Sequence, residues 1–181
     1  MAAFNIEEAA RQGRGEAIPA GWTKYSPSSR ALWLNLISYG FCTLLLFGLI
    51  PYLLITGNTS QAVSPLEAAA SFVLGLIFLS ITLRLIPPLL NRAGHFFLVT
   101  TDGFVLAACR KVTGLPLTEI SAASREPGLM GAKLVLQRRS RKALALPIAR
   151  VYGTRALREM EETLTAAINA SGQQKKKKTK R

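Results

Sequence analysis

Two long apolar stretches constrain the fold of this chain more than any other feature of its sequence. Residues 31–56 carry no charged side chain, and residues 66–90 carry only Glu67 in the first turn and Arg84 near the end. At the helical rise of about 1.5 Å per residue, each stretch is long enough to cross the ~30 Å hydrocarbon core of a bilayer. The sequence therefore predicts two transmembrane helices.

Arg84 and the two prolines after it determine where the second helix is expected to leave the membrane. An arginine at the bilayer centre costs roughly 2.5–3.5 kcal/mol on insertion scales, whereas near a helix end its long side chain reaches the headgroups. Pro87 and Pro88 are expected to break the helix at the interface. The predicted spans are therefore 31–56 and 66–86. The alternative is a buried Arg84 that lines a polar path, for which no acidic residue of either helix could serve as a partner.

The segment between the helices, residues 57–65, is rich in turn-forming residues and has no Lys or Arg. Residues 31–90 are therefore predicted to form a helical hairpin. Four cations precede it and many follow it, so the positive-inside rule predicts that both chain ends are cytoplasmic and that residues 57–65 are outside. The predicted location is the inner (plasma) membrane, with an internal bacterial membrane as the alternative. A water-soluble protein with a buried hairpin is the competing interpretation.

Four small residues mark where helix backbones can approach closely: Gly40, Gly48, Ser71 and Gly75. Gly40 and Gly48 lie eight positions apart, and Ser71 and Gly75 form a small-xxx-small pair, a spacing typical of packed membrane helices. Packing of the two helices on each other is the simplest use of these positions. Homodimerisation through the same faces is the alternative.

Residues 1–30 are predicted to be a cytosolic arm. Asn5 is a suitable N-cap for a short helix that reaches about Gln12, before two glycines end it. The prolines, glycine and serines of residues 18–29 predict irregular structure. A solvated arm with aromatic anchors is the favoured interpretation, and a partner-binding helix is the alternative.

Residues 91–170 change to an alternating pattern and are predicted to form a small antiparallel β-domain. Two β-prone runs flank Asp102-Gly103, a strong hairpin signal. Three more strands are predicted, at 114–121, 132–138 and 143–149. An amphipathic helix is predicted from about Thr154 to Ala170. The predicted fold class is an α+β membrane protein, with a transmembrane hairpin followed by a β-domain that the C-terminal helix caps.

This order of elements resembles the bacterial pleckstrin-homology-like membrane proteins, in which a transmembrane hairpin carries a small cytosolic β-domain. The resemblance rests on residues 96–100, the Asp102-Gly103 turn, residues 115–120 and the closing helix, and it covers roughly residues 95–170. Five strands are predicted here, whereas the family's sandwich has seven. The resemblance implies a binding or scaffolding role. The family's phosphoinositide headgroup site is not expected, because the first strand turn lacks the basic residues.

Residues that carry out enzyme chemistry are sparse. His95 is the only histidine, it lies beside two phenylalanines at the predicted membrane exit, and the two cysteines lack C-x-x-C spacing. The phosphate-binding motifs G-x-x-x-x-G-K-[ST] and G-x-G-x-x-G after a strand are not found. The sequence therefore predicts a protein that is not an enzyme and that uses no metal or cofactor.

The strongest remaining signal is cationic. From residue 91 onward there are 18 Lys and Arg against 6 Asp and Glu, in a chain of formal net charge +13. Two clusters are candidates for binding anionic lipid headgroups: a turn with Arg138, Arg139, Arg141 and Lys142, and a tail with Lys175, Lys176, Lys177, Lys178, Lys180 and Arg181. The tail, residues 171–181, is predicted to be disordered. Near an anionic leaflet each cation contributes about 1 kcal/mol. The alternative is solvated charge that keeps the domain soluble.

Together these features predict a non-enzymatic integral membrane protein that is an accessory or assembly subunit of a membrane complex. A protein partner is expected to dock on the sheet, while basic segments hold the domain against anionic lipid. The alternative is a membrane tether for nucleic acid or anionic lipid through the basic tail.

Overall fold

Two long helices packed as a hairpin are followed by two antiparallel sheets and a C-terminal helix. The computed structural model describes residues 4–15, 17–52, 65–108, 111–128 and 131–179. In chain order the helices are α1 (Ile6–Arg14), α2 (Ser29–Leu44), α3 (Pro65–Leu90), α4 (Ala149–Tyr152) and α5 (Thr154–Thr179). The strands are β1 (Thr23–Tyr25), β2 (His95–Val99), β3 (Gly103–Ala108), β4 (Lys111–Pro116), β5 (Ile120–Glu126), β6 (Lys133–Arg138) and β7 (Leu144–Leu146).

The long apolar helices α2 and α3 pack against each other. α2 continues through one π-helical turn, Leu45–Leu49, as far as Tyr52. Aromatic rings pack across the pair, with Phe47 edge-on to Phe72 at a centroid distance of 5.4 Å. Residues 53–64 lie outside the described residues, and they include the end of the predicted first span and nearly all of the predicted outer loop.

The second helix extends beyond its predicted end at residue 86. α3 runs through Pro87 and Pro88 to Leu90, and the Asn91 N–H donates to the Pro87 carbonyl oxygen at 2.9 Å. A proline removes its own N–H, but near the end of a helix the residues that follow still supply donors to the last turn. The added turn brings Leu89 into the apolar cluster that joins the hairpin to the rest of the chain.

The strands form a four-stranded sheet in the order β1-β2-β3-β4 and a three-stranded sheet in the order β5-β6-β7. The predicted hairpin at Asp102-Gly103 is confirmed as the turn between β2 and β3, which hydrogen bonds between Thr100 and Gly103 close. The predicted strands 132–138 and 143–149 are present as β6 and a shorter β7. β7 is an edge strand, as the proline after it indicates.

The described part of the chain has seven strands, two more than the sequence predicts. The predicted strand 114–121 is divided between the two sheets: it contributes the end of β4 and the start of β5, and a 3-10 turn, Leu117–Glu119, lies between them. Pro116 still pairs with Gly103 at the edge of the four-stranded sheet, and the 3-10 turn after it carries the chain to the other sheet. The other additional strand is β1, which comes from the N-terminal segment.

The main core lies between the two sheets, and α5 closes it. The fully buried rings of Phe97 and Phe104 stack at a centroid distance of 5.4 Å. The apolar stripe predicted for the last helix is confirmed, because Leu157, Met160 and Leu164 are fully buried in this core. The helix therefore holds the two sheets together.

The N-terminal segment packs on the folded domain, in contrast to the solvated arm predicted for residues 1–30. Asn5 caps α1 as predicted, and its side chain accepts from two backbone N–H groups at 3.1 Å. α1 then covers the outer face of the four-stranded sheet, where Ala9 and Ala10 pack in one buried cluster with Phe96. α1 is thus part of the domain, because its face of small residues fits the sheet closely.

The last helix runs to Thr179, nine residues beyond its predicted end at Ala170. The backbone of residues 172–179 is therefore helical where the sequence predicts a disordered tail. Gln and Lys have favourable helix propensities, and one glycine, Gly172, costs only about 1 kcal/mol in a helix that is already anchored. The side chains of the predicted lysine cluster, 175–178, lie outside the described residues, as do Lys180 and Arg181 altogether.

Candidate functional site

The hairpin is inserted between two strands that pair with each other. Three residues separate the end of β1 from the start of α2, and four residues separate the end of α3 from the start of β2. Across the sheet, Tyr25 of β1 lies opposite Phe97 of β2. Two short links therefore fasten both ends of the hairpin to neighbouring strands of one sheet.

The short helix α4 fills the joint between the hairpin and the sheets. Its residue Val151 packs against a buried cluster of Leu32 from α2 and Ile81 and Leu85 from α3. Leu32 is fully buried, although most of α2 is exposed or half-buried. The hairpin helices thus become buried where they meet α4.

Hydrogen bonds tie α4 to the first helix of the hairpin. The Ser28 N–H donates to the Val151 carbonyl oxygen at 3.0 Å. The side-chain amide of Asn35 donates to the Arg150 carbonyl oxygen at 3.0 Å and to a carbonyl of its own helix at 2.8 Å. A polar residue inside the predicted span therefore has a partner in the folded domain.

Two arginines at the joint are engaged within it. The Arg92 guanidinium, just after α3, donates to the Pro27 carbonyl oxygen at 2.9 Å and so connects the two links. The Arg150 guanidinium lies 5.5 Å from the ring centroid of Tyr39 on α2, within the range of a cation–π contact. Both cations therefore help to hold the joint together, although their partners here are neutral groups.

Tyr152 ends α4 as a buried ionisable group. Desolvation by burial raises the pKa of its phenol well above the ordinary value of 10. The unfolded chain therefore releases this proton at a lower pH than the folded chain does. Above pH 10 the folded state holds more protons than the unfolded state, so stability falls as the pH rises.

The predicted cationic turn, residues 138–142, lies at the strand ends opposite to the hairpin. β2 begins beside the hairpin at His95 and reaches its far end at Val99, about 13 Å along the strand. The Arg139 N–H donates to the Glu119 carbonyl oxygen at 2.9 Å, next to the 3-10 turn that follows the far end of β4. The turn is therefore remote from the joint along the strands.

The four cations predicted in this turn have different roles. Arg138 is largely buried, and its guanidinium donates to the Glu119 carboxylate at 2.9 Å. Arg139, Arg141 and Lys142 are exposed. Arg138 thus stabilises the contact between the 3-10 turn and β6, and the other three cations form the surface of the turn.

A cationic cleft that was not predicted from the sequence lies beside the hairpin. It has a volume of about 420 Å³ and is lined by Arg125, Thr154, Arg155 and Arg158. The residue before Thr154 is Gly153, and a Cβ atom added there would lie 3.6 Å from the Cβ of Ala31 in the first turn of α2. The cleft is therefore at the hairpin end of the folded domain.

The arginines of this cleft are only partly neutralised. Arg155 pairs with Glu159 at 3.1 Å, and Arg125 lies 3.9 Å from Glu161. Arg158 is exposed and makes no ion pair within the described residues. The spacing of Arg155 and Arg158 puts both on one helix face, but Arg125 joins them from β5, so only the tertiary structure reveals the cluster.

The four small residues predicted for helix packing separate into two groups. Gly75 is buried, and a Cβ atom there would lie 2.8 Å from the ring of Phe47 on α2, while Ser71 is half-buried one turn earlier. A Cβ atom at Gly40 or Gly48 would meet no atom within 4 Å. Gly40 and Gly48 therefore lie outside the contact between α2 and α3. In that contact, the Phe47 ring of α2 packs against Gly75 of α3.

The described residues contain no group of three or more His, Cys, Asp or Glu that could hold a metal ion. His95 is buried, and its Nδ1 lies 2.9 Å from the Asn91 carbonyl oxygen at the end of α3. Comparison of the chain with protein families, with curated proteins and with solved structures finds no match. The candidate site is therefore defined by geometry alone: the joint at α4 and the cationic cleft beside it.

Asn35→Leu is expected to loosen the joint, because the Arg150 carbonyl loses its donor while α2 stays apolar. The backbone amides of residues 149–152 should exchange with deuterium roughly fivefold to tenfold faster, as for a lost bond worth about 1 kcal/mol. Mass spectrometry of the detergent-solubilised protein measures this exchange. Thr43→Val, which removes a hydrogen bond to Tyr39 within α2, is the control and should leave it unchanged. Equal exchange in wild type and Asn35→Leu would contradict the role of Asn35.

Tyr152→Phe is expected to reduce the loss of stability at alkaline pH. Above pH 10 the free energy of unfolding should fall more steeply in the wild type than in the variant, by up to about 1.4 kcal/mol per pH unit. Urea unfolding in detergent at a series of pH values measures the difference. Tyr52→Phe, at the exposed end of α2, should keep the wild-type slope. Parallel curves for wild type and Tyr152→Phe would show that burial of Tyr152 does not set the pH dependence.

Proposed function

We propose that the chain is an integral membrane protein held by the α2–α3 hairpin. The observation that carries this proposal is the distribution of exposed apolar side chains. In the described chain the exposed large ones all lie on the hairpin, with Leu44 72% exposed and Leu66 and Leu90 80% exposed. The most apolar parts of the two helices are only 6% and 11% buried. A core helix of a water-soluble protein is mostly buried, so a bilayer is the environment that matches these surfaces.

In this proposal the folded domain lies at the cytoplasmic face of a bacterial plasma membrane. Arg30 and Arg92 flank the ends of the hairpin next to the domain, whereas residues 57–65 have no Lys or Arg. The positive-inside rule favours this orientation. The arginine-lined cleft is at the same end, so it adds attraction to anionic lipid headgroups.

The folded domain serves as a binding or scaffold module rather than as an enzyme. The domain has one sheet of four antiparallel strands, one of three, and a closing helix, which is consistent with the arrangement that the pleckstrin-homology-like resemblance implies. One of these strands, β1, comes from the segment before the hairpin. The short links and α4 restrict the orientation of the domain relative to the hairpin. A surface presented in a fixed orientation suits an accessory or assembly subunit, because less freedom is lost when a partner binds.

The outer face of the three-stranded sheet is the proposed surface for a protein partner. The corresponding face of the four-stranded sheet is already covered by α1. Ser124, Val135 and Ala145 form one row across the strands of this sheet. Val135 on the middle strand is buried, whereas Ala145 on the edge strand β7 is exposed, so the accessible part of this face is at β7. An edge strand offers a partner both backbone groups and small side chains.

Carbonate extraction of cell membranes tests the membrane proposal. The wild-type chain should stay in the membrane pellet. Leu44→Asp should be lost from the pellet, because an acid near the centre of a span costs roughly 2.5–3.5 kcal/mol. Ala145→Asp, at an exposed position of β7, is the control and should stay in the pellet. Release of the wild-type chain as a soluble folded protein would contradict the proposal.

Affinity capture from the same membranes in mild detergent tests the binding module. A stoichiometric protein partner should be recovered with the wild-type chain and with a chain that ends at Ser171, and it should be lost with Ala145→Arg. Carbonate extraction shows whether each variant is still inserted. Recovery of only anionic lipid or nucleic acid, abolished by the truncation, would contradict the module and make the tail the functional element.

A further inference from the structure

Arg84 is a cation on the outer surface of the hairpin, and it has no partner in the part of the chain that the structure describes. α3 faces α2 through Ile81 and Leu85, which are buried, whereas Arg84 is exposed on the flank of the helix. Within the described residues no hydrogen bond or ion pair engages its guanidinium. It therefore differs from Arg92 and Arg150, which are engaged at the joint.

The hairpin offers no counter-ion to Arg84. α2 contains no acidic residue, and the acid of α3 is Glu67, which lies 17 residues earlier, about 26 Å along the helix. In a medium of low dielectric constant an unpaired charge is costly, and an opposite charge attracts it strongly. A partner for Arg84 must therefore come from outside the hairpin.

The side chain borders a shallow groove along α3. The groove has a volume of about 440 Å³ and is lined by Leu76, Leu79, Ser80, Leu83, Arg84 and Pro87. The leucines lie toward the start of α3, and Arg84 lies toward the folded domain. Along the helix the groove thus changes from apolar to cationic.

The contacts of Ile81 and Leu85, which flank Arg84 in sequence, show how far along the hairpin Arg84 lies. Ile81 and Leu85 pack with Leu32, which lies one turn inside α2, and with Val151 of α4. Arg84 is therefore level with the joint, which the proposed insertion puts at the height of the lipid phosphate groups. The leucines extend from this level toward the acyl chains.

We infer that this groove binds an anionic phospholipid, with its phosphate on Arg84 and an acyl chain over Leu76, Leu79 and Leu83. The inference rests on the proposed membrane insertion. Arg–phosphate pairs are charge-assisted and often bidentate, and they satisfy a guanidinium that otherwise has no partner. The order of cation and leucines along the groove matches the order of headgroup and chain in a lipid, whereas a partner helix with an acid requires no such order.

Native mass spectrometry of the full chain, released from nanodiscs of phosphatidylcholine and phosphatidylglycerol, tests the site. The wild type should retain phosphatidylglycerol, and Arg84→Gln should retain roughly tenfold less, as for the loss of one charge-assisted pair. Arg84→Lys should retain an intermediate amount. Arg11→Gln, at an exposed position of α1 outside both predicted cationic clusters, is the control and should match the wild type. Equal retention by wild type and Arg84→Gln would overturn the site.

Further arms separate the alternatives. If the wild type binds inorganic phosphate as tightly as phosphatidylglycerol, or if Arg84→Gln keeps the lipid, the groove is not a lipid site. Ser80→Phe fills the groove and leaves Arg84 in place, so this variant should also lose the lipid. It tests the site independently if Arg84→Gln does not insert into the membrane. Release of the wild type by carbonate would refute membrane insertion itself. If Arg84→Gln is inserted and retains as much lipid as the wild type, only the lipid site is refuted.

Discussion

The pairing of β1 with β2 is the interaction on which the rest of the structure depends. Only three residues of β1 pair with three residues of β2, yet this pairing closes a loop of chain that contains the whole hairpin. A flexible loop of this length would be entropically costly to close, but the packed helices reduce it to two short links. Tyr25 extends the connection, because its hydroxyl lies 2.7 Å from the Thr163 hydroxyl of α5. Through these contacts the edge strand β1 is connected both to the hairpin and to the closing helix α5.

The basic residues have different roles that depend on their positions in the fold. Counting them in the sequence does not reveal these roles. Arg138 holds the 3-10 turn against β6 and is neutralised by Glu119, whereas Arg92 joins the two links through a neutral carbonyl and keeps its charge. Arg158 and Arg84 are exposed and make no ion pair within the described part of the chain. In the proposed membrane insertion, these charges at the hairpin end lie nearer the lipid headgroups than the turn at the far end does.

Features set by neighbouring residues were predictable from the sequence. The Asn5 cap, the Asp102-Gly103 turn and the apolar stripe of α5 each depend on side chains a few positions apart. β1 and α4 were not predictable, because three- and four-residue elements have no period of their own and exist only through contacts with distant segments. The cationic cleft was hidden for the same reason, since β5 and α5 each supply part of it.

The insertion of the hairpin between paired strands also imposes an order on synthesis. β1 leaves the ribosome first, but Phe97, opposite Tyr25, follows 72 residues later. At 5–20 residues per second this interval is about 4–14 s, and throughout it the edge strand has no partner. Both hairpin helices are made in that time. Pairing of β1 with β2 can therefore occur only after both hairpin helices have been synthesised, so this edge of the sheet is completed late.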